Sequence, residues 1–283
     1  MNKTKKLVNF LVWNIANNKN IEPILINLIK KNKSDIVVLI EPDFNLNLFL
    51  TNLNKLTKKK YEISKSLMPN NKITLISNFN NLELTSNQDF NERMTVRKLN
   101  IKGYKEIIIA CVHLISKLNV NNSTQAFEAT RYSNEISNAE VFAGHERTIV
   151  VGDFNMNPFE EGIMSAIAFN AVMSREVAKK RIRKVQGREY KYFYNPMWHF
   201  FGDIDKTPLG TFYFQSPDHV NYSWNIFDQV LIRPELIDCV KYNKLKILDS
   251  DGVTTLLKNG KPDKNSYSDH LPISFTINLG EIK

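Results

Sequence analysis

The chain has 283 residues, 42% hydrophobic and 11% aromatic, with a formal charge of +9 from 38 Lys plus Arg against 29 Asp plus Glu. That length can bury a large core as one α/β domain, and the charge favours an anionic partner such as nucleic acid or a phosphorylated surface, although a Lys- and Asn-rich chain also follows from biased base composition. Two cysteines, Cys111 and Cys239, without paired spacing or an adjoining His cluster argue against a zinc site, and Cys111 inside an apolar run reads as a core thiol.

Lys3, Lys5 and Lys6 precede Leu-Val-Asn-Phe-Leu-Val-Trp, a run too short to span a membrane and interrupted by Asn9. No small-residue cleavage site follows, so 7–13 reads as a first strand and the protein as cytoplasmic, without membrane insertion. Ile21, Ile24, Leu25 and Leu28 keep a 3.6-residue period, which predicts a helix over 20–32. Strands are expected at 35–40, 72–77, 95–101 and 105–112, then a helix over 124–144 and further strands at 147–151, 228–232, 243–249 and 271–277. Many strands with few intervening helices predict two packed sheets with helices outside, and not a barrel with one helix per strand.

The stretch 170–227 differs from its surroundings. Arg175, Lys179, Lys180, Arg181, Arg183, Lys184, Arg188 and Lys191 lead into aromatic residues that include Tyr190, Tyr194, Trp198 and Phe212. Basic side chains track phosphates and aromatic faces stack on bases, so Tyr194 and, further on, Trp224 are candidate substrate contacts. A solvated helix face and a buried aromatic core are the plainer readings of the same residues.

Polar residues recur at the ends of the predicted strands: Asn14, Glu41, His113, Asp153 and Asn155 in Val-Gly-Asp-Phe-Asn, Asp228, and Asp269 with His270 in Ser-Asp-His-Leu-Pro. Projecting from the rim of a buried sheet, they would meet in one site. Glu41, Asp153 and Asp269 are hard oxygen donors that suit Mg²⁺ or Mn²⁺ better than zinc, and such an ion would neutralise charge on a phosphoester. Asn14 and Asn155 can orient phosphate, metal or water without adding negative charge. Asp228 can accept the ring N–H of His270, leaving His270 to activate a water or to stabilise charge on the phosphorus, while His113 bonds a phosphate oxygen or protonates the leaving group. Singly these signals are weak, since Gly-Asp-Phe-Asn can be a strand-to-helix turn with Asp as cap. His145, His199 and His219 lack such a setting.

The ordered motifs Trp-Asn, Ile-Glu-Pro, Val-His-Leu, Gly-Asp-Phe-Asn, Phe-Asp-Gln-Val and Ser-Asp-His, from residue 13 to residue 270, resemble the endonuclease/exonuclease/phosphatase superfamily of the deoxyribonuclease I and exonuclease III type. The resemblance implies a four-layer α/β/β/α sandwich with two mixed sheets, one domain over 1–283, and divalent-metal-dependent phosphoester hydrolysis. It puts Glu41, Asp269 and Asn14 at the metal, His113, Asp153, Asn155, Asp228 and His270 in catalysis, and Asn14 and Asn155 at the substrate. The chain departs from the deoxyribonuclease I branch at Asn-Glu-Arg-Met, where no Glu partner for His113 is evident and Arg93 is a candidate phosphate contact. The stretch from Tyr-Asn-Pro-Met-Trp to Ser-Trp-Asn-Ile-Phe-Asp matches no well-known nuclease branch. A nuclease acting on DNA or RNA is the leading expectation. A phosphatase or phosphodiesterase for phosphoinositide, lipid headgroup or small nucleotide, and a non-catalytic nucleic-acid-binding or partner-controlled module, are the alternatives.

Overall fold

The computed structural model describes residues 6–64, 66, 68, 71–118, 120–203 and 208–282, apart from the side chains of Asn87 and Gln88. The chain runs through β1 (Leu7–Asn14), α1 (Glu22–Asn32), β2 (Ile36–Ile40), α2 (Leu46–Thr57), β3 (Glu62–Ser64), β4 (Ile73–Ser77), β5 (Leu84–Asn91), β6 (Met94–Leu99), β7 (Ile107–His113), α3 (Asn122–Ala143) and β8 (Thr148–Asp153). Then follow α4 (Glu161–Met164), β9 (Ala171–Val172), α5 (Arg175–Ala178), the hairpin β10 (Ile182–Val185) and β11 (Arg188–Lys191), β12 (Phe193–Tyr194), and the paired β13 (Phe212–Tyr213) and β14 (Trp224–Asn225). β15 (Asp228–Ile232), β16 (Lys246–Ile247), the hairpin β17 (Leu257–Lys258) and β18 (Lys261–Pro262), and β19 (Ile273–Asn278) complete it.

Two mixed sheets carry the architecture, one in the order β16-β19-β1-β2-β4-β3 and one in the order β5-β6-β7-β8-β15-β12-β9. The parallel pairs β1/β2 and β7/β8 are bridged by α1 and α3, the crossover that a parallel pair requires. Their strands read as largely apolar runs, broken in β1 only by Asn9, because both faces are covered. Ile107, Ile109 and Cys111 of β7 join the large core that includes the first sheet and α1, whereas Ile108, Ala110 and Val112 join a second core with Ala129, Tyr132, Ile136 and Ala139 of α3. The period of two therefore stacks helix, sheet, sheet and helix into a four-layer α/β/β/α sandwich.

Local chemistry sets the element ends. Asn45 and Asn121 cap α2 and α3 by accepting the backbone N–H of Leu48 and Thr124, and Gly144 closes α3 at φ +71°. Buried ion pairs tie the layers. Arg233 meets Glu140 of α3 through two hydrogen bonds of 2.7 and 3.1 Å, and its guanidinium lies 3.7 Å from the centre of the Phe193 ring. Burial pushes the Cys111 thiol up to about 12, in keeping with a core residue. Among the described residues no helix is long and apolar enough to cross a membrane.

The expected strands and both helices are present, but 243–249 holds only the two-residue β16 after a 3₁₀ turn at Tyr242–Lys244. The sequence reading missed α2 and β5. The stretch 170–227 supplies β9 and β12 to the second sheet, and Tyr192, Phe193, Tyr194, Met197 and Phe200 are buried there. Tyr194 is thus corrected from substrate contact to core residue, packed edge-on against Tyr242 at 5.8 Å. Several of the stretch's cations are held by carboxylates, Arg181 by Glu235, Lys179 by Asp238 and Lys191 by Glu146.

Candidate active site

Strand register gathers the polar residues at one edge of the sandwich. In the first sheet Asn14 pairs with Ile40, so Asn14 and the following Glu41 end side by side. In the second, Asp153 lies between His113 and Asp228 as cross-strand partner of both. Gly152 makes this approach close: at φ +139° it occupies backbone space that side chains avoid, and a Cβ there would stand 1.9 Å from the carbonyl oxygen of Val112. Ser268 and Trp13 tie β1 to the segment that leads into β19, with the Ser268 hydroxyl donating to the Asn14 carbonyl (2.7 Å) and the Trp13 indole N–H to the His270 carbonyl (2.8 Å).

Asp153 is the hub. Its Oδ2 accepts from Asn14 Nδ2 (2.9 Å) and Asn155 Nδ2 (3.2 Å), its Oδ1 from the Asn155 backbone N–H (2.8 Å), and the Nε2 atoms of His113 and His270 stand 3.8 and 3.9 Å away. Burial pushes its carboxyl up, and His270 and His113 work against that rise. His270 Nδ1 meets Asp228 Oδ2 at 2.7 Å. Burial would lower the His270 pKa, but Asp228 and Asp153 outweigh it and raise it to about 10. His113 goes the other way, down to about 4, through burial with the nearby Arg93 and Lys72 cations, only partly offset by Asp153. The two histidines therefore carry different charges at neutral pH: His270 is an imidazolium and His113 is neutral.

Glu41 and Asn155 both hold positive φ, +53° and +51°. For Glu41 the strain is increased by the following Pro42, and strained backbone of this kind costs about 1–3 kcal/mol and clusters where side chains must be aimed. Glu41 presents Oε1 3.7 Å from His113 Nε2, while Oε2 accepts from Asn17. Among the described residues no three His, Cys, Asp or Glu side chains are grouped to hold a metal ion. Glu41 and Asp269 are nevertheless suitable donors: Asp269 Oδ1 is buried without a hydrogen-bond partner, and Mg²⁺ needs only one or two carboxylates because it keeps several waters. Asn14, expected among the ligands, has Nδ2 on Asp153 and Oδ1 accepting from the Ala16 N–H, so both ends of its amide already act inside the protein.

The structure thus brings together Asn14, Glu41, His113, Asp153, Asn155, Asp228 and His270. Arg93 stands at the rim, half-buried, with Nη1 3.4 Å from the His113 carbonyl oxygen. Trp224 lines neither cleft beside the site. Its ring supports Tyr213 edge-on at 5.4 Å, and Tyr213 lines the cleft that begins at Asp269. Three contributors were missed. Lys72, directly before β4 and beside the β2 end, adds charge near His113. Thr211 Oγ1 accepts the backbone N–H groups of Phe227 and Asp228, and the Phe212 ring lies 4.8 Å from His270. Gly-Thr-Phe was visible as an unmatched sequence, with no periodicity to place it on a wall of the site.

Two clefts flank the cluster. One, of about 420 Å³, is lined by Asn155, Phe212, Phe214, Val220, Tyr222 and Phe227 among others. The other, of about 610 Å³, runs from Asp269 past Tyr213 and Gln215 to three lysines.

Comparison with solved structures shows that this fold is shared along nearly the whole chain with proteins described as endonuclease, phosphatase and endonuclease/exonuclease/phosphatase family members. The chain is similar to ANGEL2, described as a 2′,3′-cyclic phosphatase, at TM-score 0.60 and 14% identity, covering 98% of this chain and 96% of that one. It is similar to an AP endonuclease from Archaeoglobus fulgidus at TM-score 0.54 and 14% identity, covering 95% and 99%. An endonuclease/exonuclease/phosphatase family protein from Bacteroides thetaiotaomicron matches at TM-score 0.54 and 11% identity, covering 98% and 99%. No family profile and no curated protein matches the sequence.

Proposed function

We propose that the protein is a divalent-metal-dependent phosphodiesterase that hydrolyses DNA or RNA. The observation that carries this reading is the buried cluster in which Asp153 meets two amides, a neutral histidine and a charged one. Glu41 and Asp269 would hold Mg²⁺ or Mn²⁺, which when bound supplies Lewis-acid stabilisation of charge on the phosphoryl oxygens. Asp153, whose carboxyl is raised by burial, orients the attacking water and takes its proton as the new P–O bond forms and the bond to the leaving oxygen breaks. His270 donates from Nε2 to the non-bridging oxygen where negative charge accumulates, held in that role by Asp228. The raised pKa that Asp228 and Asp153 give it favours charge stabilisation over water activation. Neutral His113 donates a hydrogen bond at the site, and the leaving oxygen takes its proton from solvent water. Asn14 and Asn155 fix the Asp153 carboxylate, and Arg93 and Lys72 add positive potential for the incoming anion.

The net charge of +9 supports a polyanionic substrate. Likeness in backbone to a described 2′,3′-cyclic phosphatase makes small phosphoesters the competing class. Purified protein is assayed with Mg²⁺ or Mn²⁺ on supercoiled plasmid, single-stranded DNA, structured RNA, 2′,3′-cyclic nucleotides and inositol phosphates. Cleavage of a polynucleotide supports the nuclease reading. Turnover confined to small compounds replaces it with a phosphatase, and binding without turnover on every substrate replaces it with a non-catalytic module.

A further inference from the structure

The hairpin of β17 and β18 carries an arrangement that the hydrolytic cluster does not explain. Lys258 and Lys261 are direct cross-strand partners around a two-residue turn, Asn259-Gly260, whose φ values of +52° and +72° both fall in the left-handed region. Such a turn fixes its flanking residues opposite one another. Two like charges so placed destabilise a hairpin, and among the described residues none of Lys258, Lys261 and the nearby Lys264 forms an ion pair within 4.0 Å. Lys261 instead stands 4.3 Å from the centre of the Tyr213 ring, and Asp263 offers Lys258 only a longer-range attraction while its own oxygen is held by the backbone N–H groups of Asn265 and Ser266.

All three lysines line the larger cleft, whose other end is Asp269. Tyr213 under Lys261 directly follows Phe212, the residue whose ring faces His270. Asp269, which directly precedes His270, lines the cleft and borders the hydrolytic cluster, and the cleft's volume of about 610 Å³ is that of a nucleotide-sized site. We propose that Lys258, Lys261 and Lys264 form a subsite for a non-scissile phosphate of a polynucleotide strand, so that the substrate is gripped by its backbone on the Asp269 side of the bond that is cut. An anion between the paired lysines removes their repulsion, and Tyr213 and Gln215 on the same wall can meet the adjoining base or sugar. The inference rests on the reading of the substrate as nucleic acid and narrows it to a strand with at least one further phosphate.

The test is binding of a fluorescein-labelled single-stranded oligonucleotide by the full chain in chelator, followed by anisotropy over a salt series, with cleavage measured separately in Mg²⁺ and Mn²⁺. The variant is Lys258→Gln/Lys261→Gln/Lys264→Gln, all three exposed. The charge-matched control is Lys33→Gln/Lys244→Gln/Lys246→Gln, from a different cleft. For the hairpin variant the slope of log affinity against log salt is expected to shrink by about 0.7 for each phosphate no longer neutralised, with the control unchanged. An unchanged slope in the hairpin variant, or an equal loss in the control, overturns the subsite. Cleavage with hairpin-independent binding overturns the subsite and leaves the nuclease reading standing. Hairpin-dependent binding without cleavage does the reverse, and neither binding nor cleavage overturns both.

Discussion

Replacing Gly152 by alanine tests whether the His113–Asp153 juxtaposition depends on one missing side chain. A Cβ at this position would lie 1.9 Å from Val112 O, 2.9 Å from Val112 C and 3.0 Å from Val112 N. All three are backbone atoms of a central strand, so no side chain can swing away. Reaching ordinary contact requires β7 and β8 to separate by more than an ångström where six consecutive residue pairs are in register. Backbone at φ +139° adds about 1–3 kcal/mol for a non-glycine residue and overpacking a further 1–3 kcal/mol, so Gly152→Ala should lose about 2–6 kcal/mol. Displacement of Asp153 relative to His113 by about 1 Å should also cost on the order of 100-fold in turnover in the molecules that remain folded. Urea denaturation followed by tryptophan fluorescence, together with turnover at a temperature where the variant is fully folded, reads both numbers. A variant with the wild-type midpoint and wild-type turnover would refute the argument that this glycine sets the geometry.

The two histidines predict opposite pH limbs of stability. His113 has a folded pKa near 4 against an ordinary 6.5, so its contribution is complete above pH 6.5 and is lost as the pH falls toward 4, by about 3 kcal/mol. His270 is raised, so its contribution is complete below pH 6.5 and is lost as the pH rises toward 10. In urea titrations across this range, His113→Gln should flatten the acid limb and His270→Gln the alkaline limb; parallel profiles for wild type and both variants would contradict the assignment. Arg233→Ala leaves buried Glu140 with only Lys191 among the described residues, at 3.7 Å, and should lose about 3 kcal/mol by chemical denaturation, whereas a loss below about 1 kcal/mol would show that the pair is not desolvated. Tyr194→Phe should leave KM for an oligonucleotide unchanged while Phe212→Ala, beside His270, raises KM or lowers kcat; a KM effect confined to the tyrosine variant would restore Tyr194 to the substrate surface.

The layered fold was legible because both parallel pairs announce themselves as apolar runs, and the helix over 20–32 because Ile21, Ile24, Leu25 and Leu28 repeat along one face. Most of the motif residues were legible because they follow such a run, as Asn14, Glu41 and His113 do, or open one, as Asp228 does, which places them at one edge of the sandwich. What was hidden has physical causes. α2 has its apolar residues Leu46, Phe49, Leu50 and Leu53 among asparagines whose propensity favours turns, and β5 is polar along most of its length. Tyr194 reads as a stacking residue in sequence, yet tertiary packing against Tyr242 buries it. The opposed charge states of His113 and His270 depend on burial and on which carboxylates surround each ring, quantities that exist only in the folded chain. Phe212 reaches His270 through an isolated antiparallel bridge between distant segments, which no local pattern encodes.

The central claim is metal-dependent hydrolysis organised by Asp153, and it is tested most directly by turnover of a labelled oligonucleotide with wild type and Asp153→Ala in Mg²⁺, Mn²⁺ and chelator. Asp153→Ala should keep the fold and lose about 10²–10⁴-fold in kcat, and chelator should silence the wild type. Cleavage by Asp153→Ala at the wild-type rate, or undiminished wild-type cleavage in chelator, would contradict the account.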